Sequence, residues 1–256
     1  MAAVRELLGE ERREAILRRL ESEGKVRAAD LSADLGVSLD TIRRDLAELA
    51  AAGALRRVHG GALPPASPGP MGFKARLPDD VAAKRAIAAA AVALVRPGDV
   101  VALSGGTTML EVARQLPDDL EATVVTMGPD VAVAVADHPG LTVDVVGGRL
   151  HPQARTVTGA EAVAALRTVR PDLCLLSVCS VHPLVGLTLR DREEAAVVRA
   201  MVEGAGRVAS LATATKLGSA GPYVVAGPER IDTLVTDAGD DEVAIYREHG
   251  IEVVRA

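Results

Sequence analysis

Aromatic side chains are nearly missing from this chain: Phe73, Tyr223 and Tyr246 are the three, and tryptophan is absent. Core volume must then come from Ala, Val, Leu and Ile, which favours helices packed closely on a sheet with small residues at the contacts. Cysteine is as scarce. With only Cys174 and Cys179, and no apolar signal region in "MAAVRELLGEERREA", the expected compartment is a reducing cytoplasm. A long hydrophobic run is missing too. "AIAAAAVALV", Ala86 to Val95, lies between Arg85 and Arg96 and is half the ~20 residues that a membrane span requires, so it reads as a buried helix and no membrane partner is expected. Positive charge is in deficit, with a formal net charge of −6. Nearly half of the 256 residues are apolar, which excludes disorder throughout and allows one large domain or a small one joined to a larger one.

Proline, spread thinly elsewhere, gathers in "LPPASPGPM", Leu63 to Met71. Such a segment continues neither a helix nor a central strand, and it divides the chain into residues 1–62, a linker over 63–71, and residues 72–256. Charge follows the same division. Residues 1–62 hold eleven of the 29 Lys and Arg and eleven of the 35 Asp and Glu, leaving 18 and 24 for the remainder, so the whole deficit lies beyond residue 62. The first unit is neutral, and a basic surface on it is not outweighed locally.

Within that unit the spacing predicts three helices. Ile16, Leu17 and Leu20 form a stripe that ends at Gly24; "RAADLSADLG" carries Leu31 and Leu35 and ends at Gly36. Ser38 is placed as N-cap of a third helix, "LDTIRRDLAELAAAG", whose Ile42, Leu46 and Leu49 share one face. Rotation by ~100° per residue puts Asp40, Arg44 and Ala47 opposite that face, with Thr41 and Arg43 on the flanks. "ALRRVHGGAL" then reads as a small hairpin with a turn at Gly60-Gly61.

Three helices with a tight turn before the third, followed by a hairpin, form a winged helix-turn-helix that binds double-stranded DNA. Thr41 and Arg44 are expected at base edges, and Arg43, Arg56, Arg57 and His59 at phosphates; with the capping Ser38 they make up the expected DNA-binding set. Asp40, Asp45 and Glu48 dilute the basic character of the third helix. The stretch from Glu11 to Leu63 resembles the N-terminal region of DeoR-family transcriptional regulators, in which "VSLDTIRRDL" and "LRRVHGGA" form the recognition helix and wing.

Beyond Asp79, short apolar runs alternate with helical segments: "VVALS", "ATVVT", "LTVDVVGG", "DLCLLSV", "RVASLA", "DTLVT" and "IEVV". That alternation implies an α/β domain with a mainly parallel sheet covered on both faces. "SGGTT", Ser104 to Thr108, follows the first strand. Its glycines allow close backbone approach and its threonines can donate to an anion, although a Gly-Gly turn before a Thr cap is also a common structural solution.

Here too the order of segments, from "RLPDDVAAKRAIAAAAVALVRPGDVVALSGGTT" through "VVTMG", "VVGGRL", "TVTGAEA" and "ATKLG" to "LVTD", resembles the DeoR family. Its effector-sensing domain is similar to pentose-phosphate isomerases and responds to phosphorylated sugars. The resemblance implies that Gly106, Thr107 and Thr108, with Ser104 and Gly105 in the same loop, hold a phosphate, with Arg76, Lys84 and Lys216 as further polar contacts. The chain departs from the pattern at Ser104 and Thr213, where the family has aspartates, and at Met127, where it has asparagine. These losses remove groups suited to sugar hydroxyls or proton transfer.

Elsewhere the signals are weaker. Cys174, Cys179 and His182 lack a fourth ligand, and no metal site or cofactor is expected; Arg149 and Arg155 read as exposed arginines in a turn, and His138 and His151 as solvated. The resulting expectation is a metabolite-responsive repressor, a homo-oligomer on paired operator half-sites. An isomerase-like enzyme with an appended DNA-binding domain and a DNA-bound scaffold with a ligand-free second domain are the alternatives.

Overall fold

A computed structural model describes residues 8–52, 54–58, 60–64 and 72–256 of the chain. His59, Gly53 and the linker expectation beyond Pro64 lie outside the described residues. The first unit runs α1 (Gly9–Glu23), β1 (Val26–Arg27), α2 (Ala28–Leu35), α3 (Leu39–Ala51), β2 (Arg56–Val58) and β3 (Gly61–Leu63). Gly24 and Gly36 end the first two helices at φ +66°, as their positions suggested. Ile16, Leu20, Leu31, Ile42, Leu46, Leu49 and Leu55 form one buried core.

Two details differ from the expectation. The wing is three-stranded, in the order β1-β3-β2, because Val26 and Arg27 pair with Ala62 and Gly61 rather than opening the second helix. Gly61 belongs to β3 rather than to the turn, since it pairs with Val58. Gly60 supplies a φ of +81°, whereas Gly61 lies within β3 for a different reason. A Cβ there would stand 2.0 Å from the Val26 carbonyl oxygen, so only glycine lets β1 cross.

The second unit begins with α4 (Phe73–Arg76), α5 (Val81–Val92), β4 (Val100–Leu103), α6 (Thr107–Gln115), β5 (Ala122–Thr126), α7 (Pro129–Val135) and β6 (Leu141–Val145). It continues with β7 (Arg149–His151), β8 (Thr156–Thr158), α8 (Ala160–Arg167), β9 (Leu173–Leu176), β10 (Ser180–His182), β11 (Gly186–Leu189) and α9 (Arg192–Gly204). It closes with β12 (Arg207–Leu211), a 3₁₀ turn at Ala214–Lys216, β13 (Tyr223–Ala226), β14 (Thr233–Thr236), α10 (Asp240–Glu248) and β15 (Glu252–Arg255). The helix read from the apolar run Ala86 to Val95 spans Val81–Val92 and ends ahead of Pro97.

Seven strands form one parallel sheet in the order β15-β14-β12-β9-β4-β5-β6. Alternate residues of the central strands enter different cores. Val101, Leu103, Leu173 and Leu175 pack with α5, α6 and α7, and Ala102, Cys174 and Leu176 pack with α8 and α9. Both faces are covered, which is why these strands read as continuous apolar runs. The chain winds outward through β4, β5 and β6, then returns to the other side of β4 with β9. The order reverses between β4 and β9, and ligands of such sheets bind outside the carboxyl ends of the strands at that point. A smaller antiparallel sheet, β10-β11-β13, and the β7–β8 hairpin were not foreseen as strands. No helix among the described residues is long and apolar enough to cross a membrane.

Candidate nucleic-acid interface and effector site

The Ser38 hydroxyl accepts from the Thr41 amide at 3.1 Å and lies 2.9 Å from the Thr41 hydroxyl, which fixes the first turn of α3. Arg43 and Arg44 are both exposed on α3. Arg43 donates to Asp40 at 3.1 Å in an exposed pair, and such pairs are worth little. Arg44 has no ion pair among the described residues. Of the acids counted against this helix, Asp40 stays on the exposed side with Arg43, and the other two are directed elsewhere. Asp45 is buried and accepts from Arg12 Nε at 2.5 Å and Nη2 at 3.1 Å, and Glu48 accepts from Arg13 at 2.6 Å. Asp45 and Glu48 therefore neutralise α1, and the expectation that they dilute the DNA-facing side is corrected. The same rotation that placed Arg44 opposite the core places Asp45 beside it, so this could have been read from the sequence.

The wing arginines separate. Successive strand residues face opposite sides, so Arg57 shares its row with buried Ala62 and Val26, and Arg56 points the other way with Val58. Arg57 is exposed at the free edge of that row, on the side where α3 packs beside β2, and Arg56 is half-buried.

In the second unit the "SGGTT" loop sits at the reversal point between β4 and β9. The Ser104 amide donates to the Leu175 carbonyl, and the Ser104 hydroxyl accepts from the Ser177 amide at 3.2 Å, so this serine ties the two strand ends together. Gly105 is not open to a ligand as its spacing suggested: a Cβ there would lie 2.2 Å from Thr156 Cγ2. Gly106 is open. It caps α6 at φ +110° with nothing within 4 Å of a Cβ position, and the first-turn amides of Thr107 and Thr108 follow.

Lys216, on the 3₁₀ turn after β12, donates to the Ser177 hydroxyl at 2.9 Å. Burial, and then the neighbouring Arg76 charge, push its ammonium down to about 8. Arg76 has a buried Nε without a hydrogen-bond partner among the described residues. Lys84 is buried and donates to the carbonyls of Arg76, at 2.5 Å, and Asp79. Burial is also the main reason its ammonium is pushed down. Lys84 thus anchors the turn that carries Arg76, and acts on the pocket through it. Ser104, Gly106, Thr107, Thr108, Arg76 and Lys216 are brought together, with Gly105 as the contact surface for Thr156.

Other expectations shift. Arg149 is exposed as expected, at the start of β7, whereas Arg155, in the turn between β7 and β8, is half-buried, pairs with Asp130 at 2.9 Å and stacks on Phe73. His138 lies 2.7 Å from the Pro117 carbonyl oxygen and His151 accepts from the Ala154 amide, so neither is simply solvated. Cys174 is buried with its thiol pushed up to about 12 by burial, and His182 Nδ1 is taken by the Leu184 and Val185 amides.

One pH dependence follows for this pocket. An ammonium with a pKa of about 8 is charged below that pH and neutral above it, so anion affinity through Lys216 is expected to fall above pH 8, by at most about tenfold per unit. Titration of inorganic phosphate into the full chain between pH 7 and 9.5 checks this, with Lys216→Met expected to lose the dependence.

A winged helix whose third helix exposes Arg43 and Arg44, joined to a parallel α/β unit with a glycine-threonine loop at its strand-order reversal, has the form of a ligand-responsive DNA-binding regulator. The comparisons with known proteins agree. A family model described as the DeoR-like helix-turn-helix domain matches residues 12–67, and one described as the DeoR C terminal sensor domain matches residues 79–238. The chain belongs to the DeoR family of transcriptional regulators. It is 34% identical over 252 residues to a protein named for transcriptional repression of the aga operon in Escherichia coli O157:H7, across 95% of this chain and 93% of that one. It is 32% identical to the transcriptional repressor GlcR of Bacillus subtilis, across 89% of this chain and 88% of that protein. These relatives are regulators, which sets aside the reading as an enzyme. The ribose 5-phosphate isomerase A structure from Neisseria gonorrhoeae overlaps at a TM-score of 0.40 and 13% identity, over 53% of each chain, too loosely to bear on the ligand.

Proposed function

We propose that this regulator is a cytoplasmic repressor that binds paired operator half-sites as a homo-oligomer, and that a phosphorylated sugar or related small anion controls its grip. In this reading residues 1–62 hold DNA, 63–71 link, and 72–256 sense the effector and oligomerise. The observation that carries the DNA contact is the exposure of Arg44 with no ion pair among the described residues, while Asp45 and Glu48 are engaged by α1. Ser38 and Thr41 set the helix entry, Thr41 and Arg44 meet base edges, and Arg43, Arg56, Arg57 and His59 meet phosphates. Gly106, Thr107, Thr108, Arg76 and Lys216 hold the anion, with Lys84, Ser104 and Gly105 as their support.

The coupling has a physical route. The turn that carries Lys216 continues into Leu217 and Gly218, which line a cavity of about 430 Å³ with Leu17 and Leu20 of α1. The Gly218 amide also donates to the Tyr246 hydroxyl, which donates to the Val181 carbonyl beside His182. An effector that favours one position of this turn biases the α1 contact.

Operator selection from a random duplex pool tests the reading, since failure to enrich any sequence removes it. On the selected operator, Arg44→Ala is expected to cost about 1–3 kcal/mol and relax preference at one base. Arg57→Ala is expected to weaken all sequences alike and lower the salt slope by about 1. Operator-like binding by both variants would show these side chains to be elsewhere. Thermal-shift titration with phosphorylated sugars separates sensing from the scaffold alternative, which requires no stabilisation by any of them.

A further inference from the structure

Glu194, in the first turn of α9, is a half-buried carboxylate beside this cationic cluster, with the Asp191 carboxylate also in its field. Its side chain accepts from the Thr156 hydroxyl at 3.4 Å, a long bond, and the methyl of the same Thr156 covers Gly105. On the other side of the Ser104–Gly106 turn, Ser104 binds the Ser177 amide and Ser177 receives Lys216. Arg76 and His151 act electrostatically on Glu194, yet neither is within ion-pair distance of it among the described residues. Burial pushes the Glu194 carboxyl up. A half-buried carboxylate with one weak hydrogen bond and a half-buried arginine whose buried Nε has no hydrogen-bond partner among the described residues therefore sit together beside the open N-terminus of α6. Such groups cost free energy unless something supplies their partners.

A bare phosphate meets only half of this demand. It satisfies Arg76, Lys216 and the Thr107 and Thr108 amides, while Glu194 repels it. The complementary ligand has an anionic end and a carbon chain that carries donors. We infer that Glu194 reads the hydroxyl groups of the effector, which is a phosphorylated polyol or sugar with its anionic end on α6, Arg76 and Lys216 and a hydroxyl donating to the Glu194 carboxylate. This rests on the anion-sensing reading above. It also supplies, from a different element, an acceptor of the kind absent at Ser104 and Thr213.

Calorimetric titration of the full chain with inorganic phosphate, glycerol 3-phosphate, ribose 5-phosphate and fructose 6-phosphate tests it. At least one ester is expected to bind about tenfold or more tightly than phosphate, the range of a hydrogen bond to a charged group. Glu194→Gln is expected to bring that ester to within about threefold of phosphate, with phosphate binding unchanged or tightened by loss of the negative charge. Thr156→Val, which frees the carboxylate from its one protein donor, leaves the preference for the ester in place. The inference is overturned if Glu194→Gln keeps the ester-to-phosphate ratio or weakens both ligands equally, the sign of a merely structural role. If phosphate binds and no ester binds more tightly, the inference falls and anion sensing stands. If neither phosphate nor any ester binds, both fall.

Discussion

Asp45→Ala is expected to cost the DNA-binding unit about 3 kcal/mol and to lower operator binding sharply, although Asp45 contacts no DNA in the proposed arrangement. The carboxylate is 5% exposed and accepts two hydrogen bonds from Arg12 across 33 residues of sequence, clamping α1 to α3. Its removal takes from the Arg12 guanidinium, itself 13% exposed, the carboxylate that accepts two of its hydrogen bonds. Loss of one partner of a buried pair costs about 3–5 kcal/mol, and the lower end applies because Arg12 keeps some water and the nearby Glu48 charge. A unit of roughly 60 residues has only about 3–9 kcal/mol in total. Urea unfolding of the full chain followed by circular dichroism should show the first transition moving to lower denaturant while the second stays. An unmoved first transition would mean that the pair is incidental.

Gly61→Ala is expected to be comparably damaging, at about 3 kcal/mol, by overpacking against backbone. The added Cβ would stand 2.0 Å from the Val26 carbonyl oxygen and 3.0 Å from its carbon, and neither can swing aside as a side chain does. Relief requires β1 to leave β3, which gives up the Val26–Ala62 and Arg27–Gly61 pairs and displaces the strand that sets Arg57. Gly60→Ala is the control. That position needs φ +81° but has open space around it, so the expected cost is about 1–2 kcal/mol of left-handed strain alone. If Gly60→Ala were the more destabilising of the two, Gly61 would serve the turn after all. The same unfolding assay separates these outcomes, and DNA affinity should follow the order of stability.

The two glycines illustrate which features of the site were legible. A Gly-Gly pair between β-prone runs signals a turn, and a turn is there. The second glycine answers to a strand that lies more than thirty residues earlier, and nothing local marks that contact. Gly105 repeats the lesson: its neighbours on the chain suggest a ligand, and its neighbour in space is Thr156. Arg56 and Arg57 are adjacent letters that strand alternation sends to opposite faces. Glu194 gave no local signal, because in "DREEAAVV" it looks like one more acid in the first turn of an amphipathic helix.

By itself the sequence determined what depends on short-range periodicity and backbone chemistry. Ser38 as a cap, Gly24 and Gly36 as stops, the Ile42, Leu46 and Leu49 face, and the apolar strands of a doubly covered sheet all follow from spacing within one element. Tertiary structure alone decided the order in which those strands lie, and hence the reversal between β4 and β9 that brings Ser104, Ser177 and Lys216 together. It also decided which charges are neutralised across elements, as for Asp45 with Arg12. The reason is that Coulombic and hydrogen-bonding partners are chosen by distance in space, and a chain folded into layers makes residues distant in sequence the nearest neighbours.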